Sequence, residues 1–187
     1  MFPPGRITKI LSEPNNLTMF RMAAAPIIVL LLLIPNQFTT FMAALFFSAA
    51  AITDYLDGFF ARRNGMVSNL GKIMDPVADK LLVSSTFIML ASLAWIPAWL
   101  VCIIIGRELA VTGLRNVIAE NNMDVSASEL GKYKTGFQIA AIIPLLIHFP
   151  YFGINFNGIG MFFLWGALIL TIWSGVDYFV RFRNLLQ

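Results

Sequence analysis

The sequence has one cysteine and one histidine in 187 residues, and Asp, Glu, Lys and Arg together make up only 12% of it. The single cysteine, Cys102 in the apolar run LVCIII, excludes an intrachain disulfide and reads as a small lipid- or core-facing residue. His148 is alone and Cys102 is remote, which argues against zinc. A soluble domain carries about 25% charged and about 45 to 50% apolar residues, whereas this chain is 58% hydrophobic. That balance points to an integral membrane protein built as a single domain over 1–187, with no separate soluble domain and no nucleic-acid partner. The N-terminal MFPPGRITKILSE lacks the apolar core and cleavage site of a secretory signal and is expected to stay in the mature chain.

Charge is also missing in a pattern. The stretches 22–53, 81–106 and 135–176 contain no Asp, Glu, Lys or Arg, and each has a turn signal inside it: Pro35-Asn36, Trp95-Ile96-Pro97 and Phe149-Pro150-Tyr151-Phe152-Gly153. Each stretch is therefore a helical hairpin with an uncharged outer turn, which makes the expected fold all-α and polytopic with six transmembrane helices. Lys and Arg mark the cytoplasmic side, so both termini and both long connections are placed inside. Residues 6–13 set Ile7, Ile10 and Leu11 against Arg6, Lys9 and Glu13, predicting an amphipathic interfacial helix within 1–14. Pro14-Asn15-Asn16 breaks it and Leu17-Thr18 opens the six-helix core of 15–187. Ser126 and Glu129 have the spacing of a capping box before helix five.

The middle hairpin is too short for its task. A bilayer crossing takes about 20 residues, yet 81–106 supplies 26 uncharged residues for two crossings and a turn. Helices three and four must draw in Asp75, Asp79 and Lys80 from one end and Arg107 and Glu108 from the other. The 32 residues of the first hairpin likewise leave Asp54 and Asp57 near the inner end of helix two. A charge at mid-bilayer costs roughly 2.5 to 3.5 kcal/mol on insertion scales, so several together imply use in a shared hydrated pocket.

Asp54, Asp57, Gly58 and Ala61 stand at i, i+3, i+4 and i+7, and Gly71, Asp75 and Asp79 at i, i+4 and i+8; each set shares one helical face. Two adjacent helices can thus present four carboxylates to each other, with small residues beside them that leave space for a ligand. Bare, the four would repel and take up protons. Pairing with Arg62, Lys72 and Lys80 is the structural explanation, but buried ion pairs rarely justify themselves by stability. All-oxygen ligands favour Mg²⁺ or Mn²⁺, which at carboxylate clusters serve a phosphate or diphosphate, and two such ions can hold the attacking and leaving oxygens of an in-line displacement.

The stretch DYLDGFFARRNGMVSNLGKIMDPVAD, residues 54 to 79, resembles the signature of the CDP-alcohol phosphotransferases. Every fixed position of that pattern is matched, by Asp54, Asp57, Gly58, Ala61, Arg62, Gly71, Asp75 and Asp79. PNNLTMFRM, DPVADKLLV, GRELAVTGLR and ELGKYKT extend the likeness over about 14 to 180, toward the bacterial branch making phosphatidylglycerol phosphate. The resemblance implies six transmembrane helices, a homodimer, a bacterial inner-membrane location with the site facing the cytoplasm, and displacement of CMP from a CDP-linked substrate by an alcohol. It implies that Asp54, Asp57, Asp75 and Asp79 hold two divalent cations, that Asp79 also takes the acceptor's proton, and that Gly58, Ala61, Arg62 and Gly71 receive the cytidine diphosphate. Thr18 and Arg21 resemble the family's N-terminal element, Thr18 being assigned to the nucleotide side; an N-cap and an interfacial anchor are their other readings.

The acceptor is a separate inference. Arg107, Arg115, Lys132 and Lys134 lie at the cytoplasmic ends of helices four and five. The positive-inside rule already places basic residues there; Arg107 exceeds it, because its position lengthens helix four only by burying a charge. A basic set at a metal–diphosphate site points to an acceptor with its own phosphate. Glycerol 3-phosphate fits, with CDP-diacylglycerol as the donor lipid held in the membrane. Inositol phosphate, serine and phosphatidylglycerol are the sibling acceptors. An ion transporter would give flux without CMP release, and a structural scaffold would tolerate neutralisation of all four aspartates.

Overall fold

The structure, a computed structural model, describes residues 14–64, 69–120, 129–150 and 153–181. They form six α-helices and no strand: α1 Pro14–Leu33, α2 Gln37–Asn64, α3 Asn69–Ser92, α4 Ala98–Glu120, α5 Glu129–Ile147 and α6 Phe156–Arg181. The breaks at 34–36 and 93–97, and the end of the fifth helix at Ile147 with the sixth starting at Phe156, fall at the uncharged turns read from the sequence. The expected interfacial helix and the Ser126 capping position lie outside the described residues. Helix α1 starts at Pro14 rather than Leu17, because the first turn is where proline's missing N–H costs nothing.

The turns end in identifiable caps. Asn36 Oδ1 accepts from the N–H groups of Phe38 and Thr39 at 3.0 Å, and Thr39 Oγ1 accepts from the Asn36 N–H, a reciprocal cap that starts α2. Asn155 Oδ1 accepts from the Gly158 N–H at 3.0 Å and starts α6. At the end of α3 the Trp95 N–H reaches the Leu90 carbonyl and the Ala94 N–H the Ala91 carbonyl, both at 3.0 Å, with Ala94 left-handed at φ 57°. This is a Schellman closure with alanine where glycine is the usual residue. Relief of that conformation makes Ala94→Gly stabilising by about 1 kcal/mol, seen as a raised melting temperature in detergent; a lowered one would remove the strain argument. His148, also left-handed at φ 49°, ends α5 and stacks on Trp95 with ring centroids 3.7 Å apart. Burial pushes its imidazole below the ordinary pKa, as suits a neutral ring packed against an indole.

The chain clusters into two compact units, 1–86 and 87–187, with the boundary inside α3. In the first, α1 packs on α2: Ala24, Ile28 and Leu32 recur every four residues, and Ala43, Phe47 and Ala50 form the buried face of α2. Alanines let the two backbones approach closely, as helices packing within lipid require. In the second, α6 packs on α5 and α4. A Cβ built on Gly160 would lie 2.5 Å from Leu145 Cγ, and one on Gly166 would lie 2.7 Å from the Phe137 ring, so the two glycines set the spacing of antiparallel α5 and α6.

Helix α6 is long and apolar enough to cross a membrane, with 26 residues and a mean hydropathy of 1.9 over its best window; it is the only one among the described residues to pass that test. Its outer side carries Phe162, Ile169, Trp173, Val176 and Val180, all strongly exposed. Such a face suits hydrocarbon rather than water. Pro26 and Pro144 sit inside α1 and α5, a placement that membrane helices tolerate more readily than soluble ones.

Candidate functional site

Helix α2 runs unbroken through Asp54, Asp57, Gly58, Ala61 and Arg62, and α3 through Gly71, Asp75 and Asp79. Continuity of each helix keeps the expected faces intact, since residues three and four apart lie one above the other. Of the eight, Asp79 has a described side chain, and it is half-buried; the other seven side chains lie outside the described ones, as does that of Lys132. Among the described residues no three His, Cys, Asp or Glu side chains come together. The donor set is entirely carboxylate, the chemistry that hard divalent cations prefer.

Two residues of α1 change their standing. Thr18 is buried in the second turn of the helix, so it is not the N-cap. Arg21 is 1% exposed, which excludes an interfacial anchor, because an anchoring arginine carries its head to water. Arg21 is kept with Thr18 as a candidate by its place in the PNNLTMFRM element.

The second unit gathers most of the basic set. Lys134 of α5 forms an ion pair with Glu108 Oε1 of α4, and Arg107 Nη1 lies 3.6 Å from the same oxygen. Arg107 Nη2 donates to Ser174 Oγ of α6 at 2.9 Å. One turn further along, Val111, Leu114, Ile118 and Tyr178 form an apolar cluster, and the Arg115 guanidinium lies 5.6 Å from the Tyr178 ring centroid. Tyr178 is thus a packing residue. Two cations meet one carboxylate, with Arg115 two turns further along the same helix, in surroundings where Lys134 is 4% exposed. An excess of positive charge out of bulk water favours an anion.

Unsatisfied atoms point the same way. Arg107 Nε, Arg115 Nε, Gln138 Nε2 and Thr171 Oγ1 are buried without a hydrogen-bond partner among the described residues. Each such atom costs about 1 to 3 kcal/mol, more when charged, unless something polar joins it. Glu108 holds both Arg107 and Lys134. Sequence reasoning missed Gln138, Thr171, Ser174 and Gly175. For the three on α6 the signal was spacing: Thr171, Ser174, Gly175 and Tyr178 stand at i, i+3, i+4 and i+7, the pattern that singled out the acids of α2; Gln138 had no such signal.

Comparison with known proteins fits this geometry. The model of the CDP-alcohol phosphatidyltransferase family matches residues 11–173. A Bacillus subtilis protein is 40% identical over 181 residues, covering 90% of this chain and 93% of its own. A Rickettsia typhi protein is 40% identical over 167 residues, 89% of this chain and 94% of its own. An Escherichia coli K12 protein is 37% identical over 169 residues, 88% and 91%. All three relatives bear the name CDP-diacylglycerol–glycerol-3-phosphate 3-phosphatidyltransferase.

Proposed function

We infer the reaction from membership: the chain belongs to the CDP-alcohol phosphatidyltransferase family, and it transfers the phosphatidyl group of CDP-diacylglycerol to sn-glycerol 3-phosphate, releasing CMP. The observation that carries the acceptor is the meeting of Arg107 and Lys134 on one oxygen of Glu108, with Arg115 on the same helix. Two cations paired with one carboxylate, and a third on the same helix, suit a small molecule with its own phosphate better than a zwitterion such as serine. The names of the relatives support the same choice among phosphate-bearing alcohols.

In the proposed chemistry, the basic cluster holds the phosphate of the acceptor and leaves its primary hydroxyl free. Asp79 takes the proton of that hydroxyl, whose oxygen attacks the diacylglycerol-linked phosphorus as the bond to CMP breaks and the electron pair leaves with CMP. Arg62 bonds diphosphate oxygens, and Gly58, Ala61 and Gly71 give the cytidine diphosphate room at the backbone. Thr18 and Arg21 belong to the nucleotide side. Asp54, Asp57, Asp75 and Asp79 would hold two divalent cations, Mg²⁺ or Mn²⁺, whose charge neutralises the diphosphate and the leaving group. The fatty chains stay in the bilayer.

We further propose six membrane crossings in one 1–187 domain, with both ends and the site on the cytoplasmic side of a bacterial inner membrane, assembled as a homodimer. The three uncharged, capped outer turns and the basic inner ends support that orientation. CMP release by the purified protein in detergent tests the reaction, with glycerol 3-phosphate compared against inositol phosphate, serine and phosphatidylglycerol. Release is expected with glycerol 3-phosphate; release with another alcohol would discard the acceptor, and ion flux without release would discard the reaction. Chelation of divalent cations is expected to reduce release to background and either Mg²⁺ or Mn²⁺ to restore it. Full turnover in excess EDTA would remove the cations from the proposal.

A further inference from the structure

The α6 face that the sequence left silent carries an inference that rests on the acceptor reading above. We propose that Ser174 is a positioning residue for Arg107, and that Gly175 keeps clear the guanidinium edge that meets the acceptor's phosphate. Ser174 is fully buried, and its hydroxyl proton is committed to the helix: Oγ donates to the Leu170 carbonyl at 2.6 Å. What Oγ offers Arg107 is therefore a lone pair at a fixed point, 2.9 Å from Nη2.

Arg107 is thus held at two corners, Nη2 by Ser174 and Nη1 by Glu108. Its Nε is buried with no partner among the described residues. Nε–H and the adjacent Nη–H form one edge of the fork, the edge that grips two oxygens of a phosphate side by side. Gly175 lies against that edge: a Cβ there would be 3.1 Å from Arg107 Cγ and 3.5 Å from Nε. Any larger residue displaces the stem and crowds the donor. Helix α6 in this way sets how the arginine presents itself. Loss of the Ser174 acceptor leaves the charge in place and frees the fork to turn, so the effect falls on acceptor affinity and not on the chemical step.

The test compares Ser174→Ala, Ser174→Thr and Gly175→Ala with the unaltered full-length protein in detergent, measuring kcat and KM for each substrate. Ser174→Ala is expected to raise the KM for glycerol 3-phosphate about ten-fold, the scale of one hydrogen bond to a charged group, with kcat and the KM for CDP-diacylglycerol within about two-fold. Ser174→Thr, whose hydroxyl can make the same back-bond to the helix carbonyl, is expected to restore the acceptor KM. Gly175→Ala is expected to raise that KM alone, by roughly three- to ten-fold. An unchanged acceptor KM in Ser174→Ala overturns the assignment. So does a joint rise of both KM values with a lowered melting temperature that threonine does not repair, which is the mark of a packing role. If the unaltered protein shows no dependence on glycerol 3-phosphate, the acceptor reading itself falls; if it does show dependence and Ser174→Ala matches it, only the role of Ser174 falls.

Discussion

Asp79→Asn is expected to lower CMP release by about a thousand-fold at saturating substrates, the largest effect of any single replacement in this chain. A positioned general base contributes roughly 10²- to 10⁴-fold, and the carboxamide can accept no proton at neutral pH. The change is nearly isosteric, so helix α3 keeps its length and Asp79 its half-buried place. Two proposed roles are lost together in this variant, base and anionic metal ligand, and a companion variant separates them. Asp54→Asn removes a ligand alone, so a large excess of Mg²⁺ is expected to recover part of its activity by mass action. The same excess is expected to leave Asp79→Asn inactive. Turnover of Asp79→Asn at the level of the unaltered protein would end the base assignment, and recovery of both variants by metal would reduce Asp79 to a ligand.

Much of this could be read from sequence, for a reason specific to membranes. Bilayers segregate charge so strongly that each of the three uncharged stretches was expected to hold one turn, and the helices do end at Leu33, Ser92 and Ile147 within them. The acids of α2 and α3 could be proposed as a site from sequence because four carboxylates in an apolar chain need a function. Burial within a helix was not legible. Arg21 lies in the second turn of α1, near its start, and from sequence could equally have faced the headgroups; only packing places it at 1% exposure. Ser174 was harder still, since a hydroxyl in an apolar helix can satisfy itself on its own carbonyl and leaves no trace in hydropathy. Which cation Glu108 would meet depended on the rotation of α4 against α5, and no periodicity encodes that.

The second large effect belongs to Arg107. Arg107→Ala is expected to reduce kcat/KM for glycerol 3-phosphate by about 10²- to 10³-fold, the scale of a charge-assisted, two-pronged phosphate contact out of bulk water. The KM for CDP-diacylglycerol should stay within a few-fold. Arg107→Lys separates charge from shape. An ammonium is a single compact centre, so it cannot reach Ser174 on α6, Glu108 on its own helix and a phosphate at once, as the guanidinium fork can. Lysine is therefore expected to recover less than a tenth of the loss, although it restores the full positive charge. Glu108→Gln supplies the opposite control. It leaves Arg107 and Lys134 charged but removes the anion on which both converge, so any acceptor phosphate would meet cations that are no longer held together. If lysine at 107 restored the acceptor KM fully, net charge alone would govern binding, and the meeting of α4 and α6 at one guanidinium would be a packing arrangement without a part in recognition.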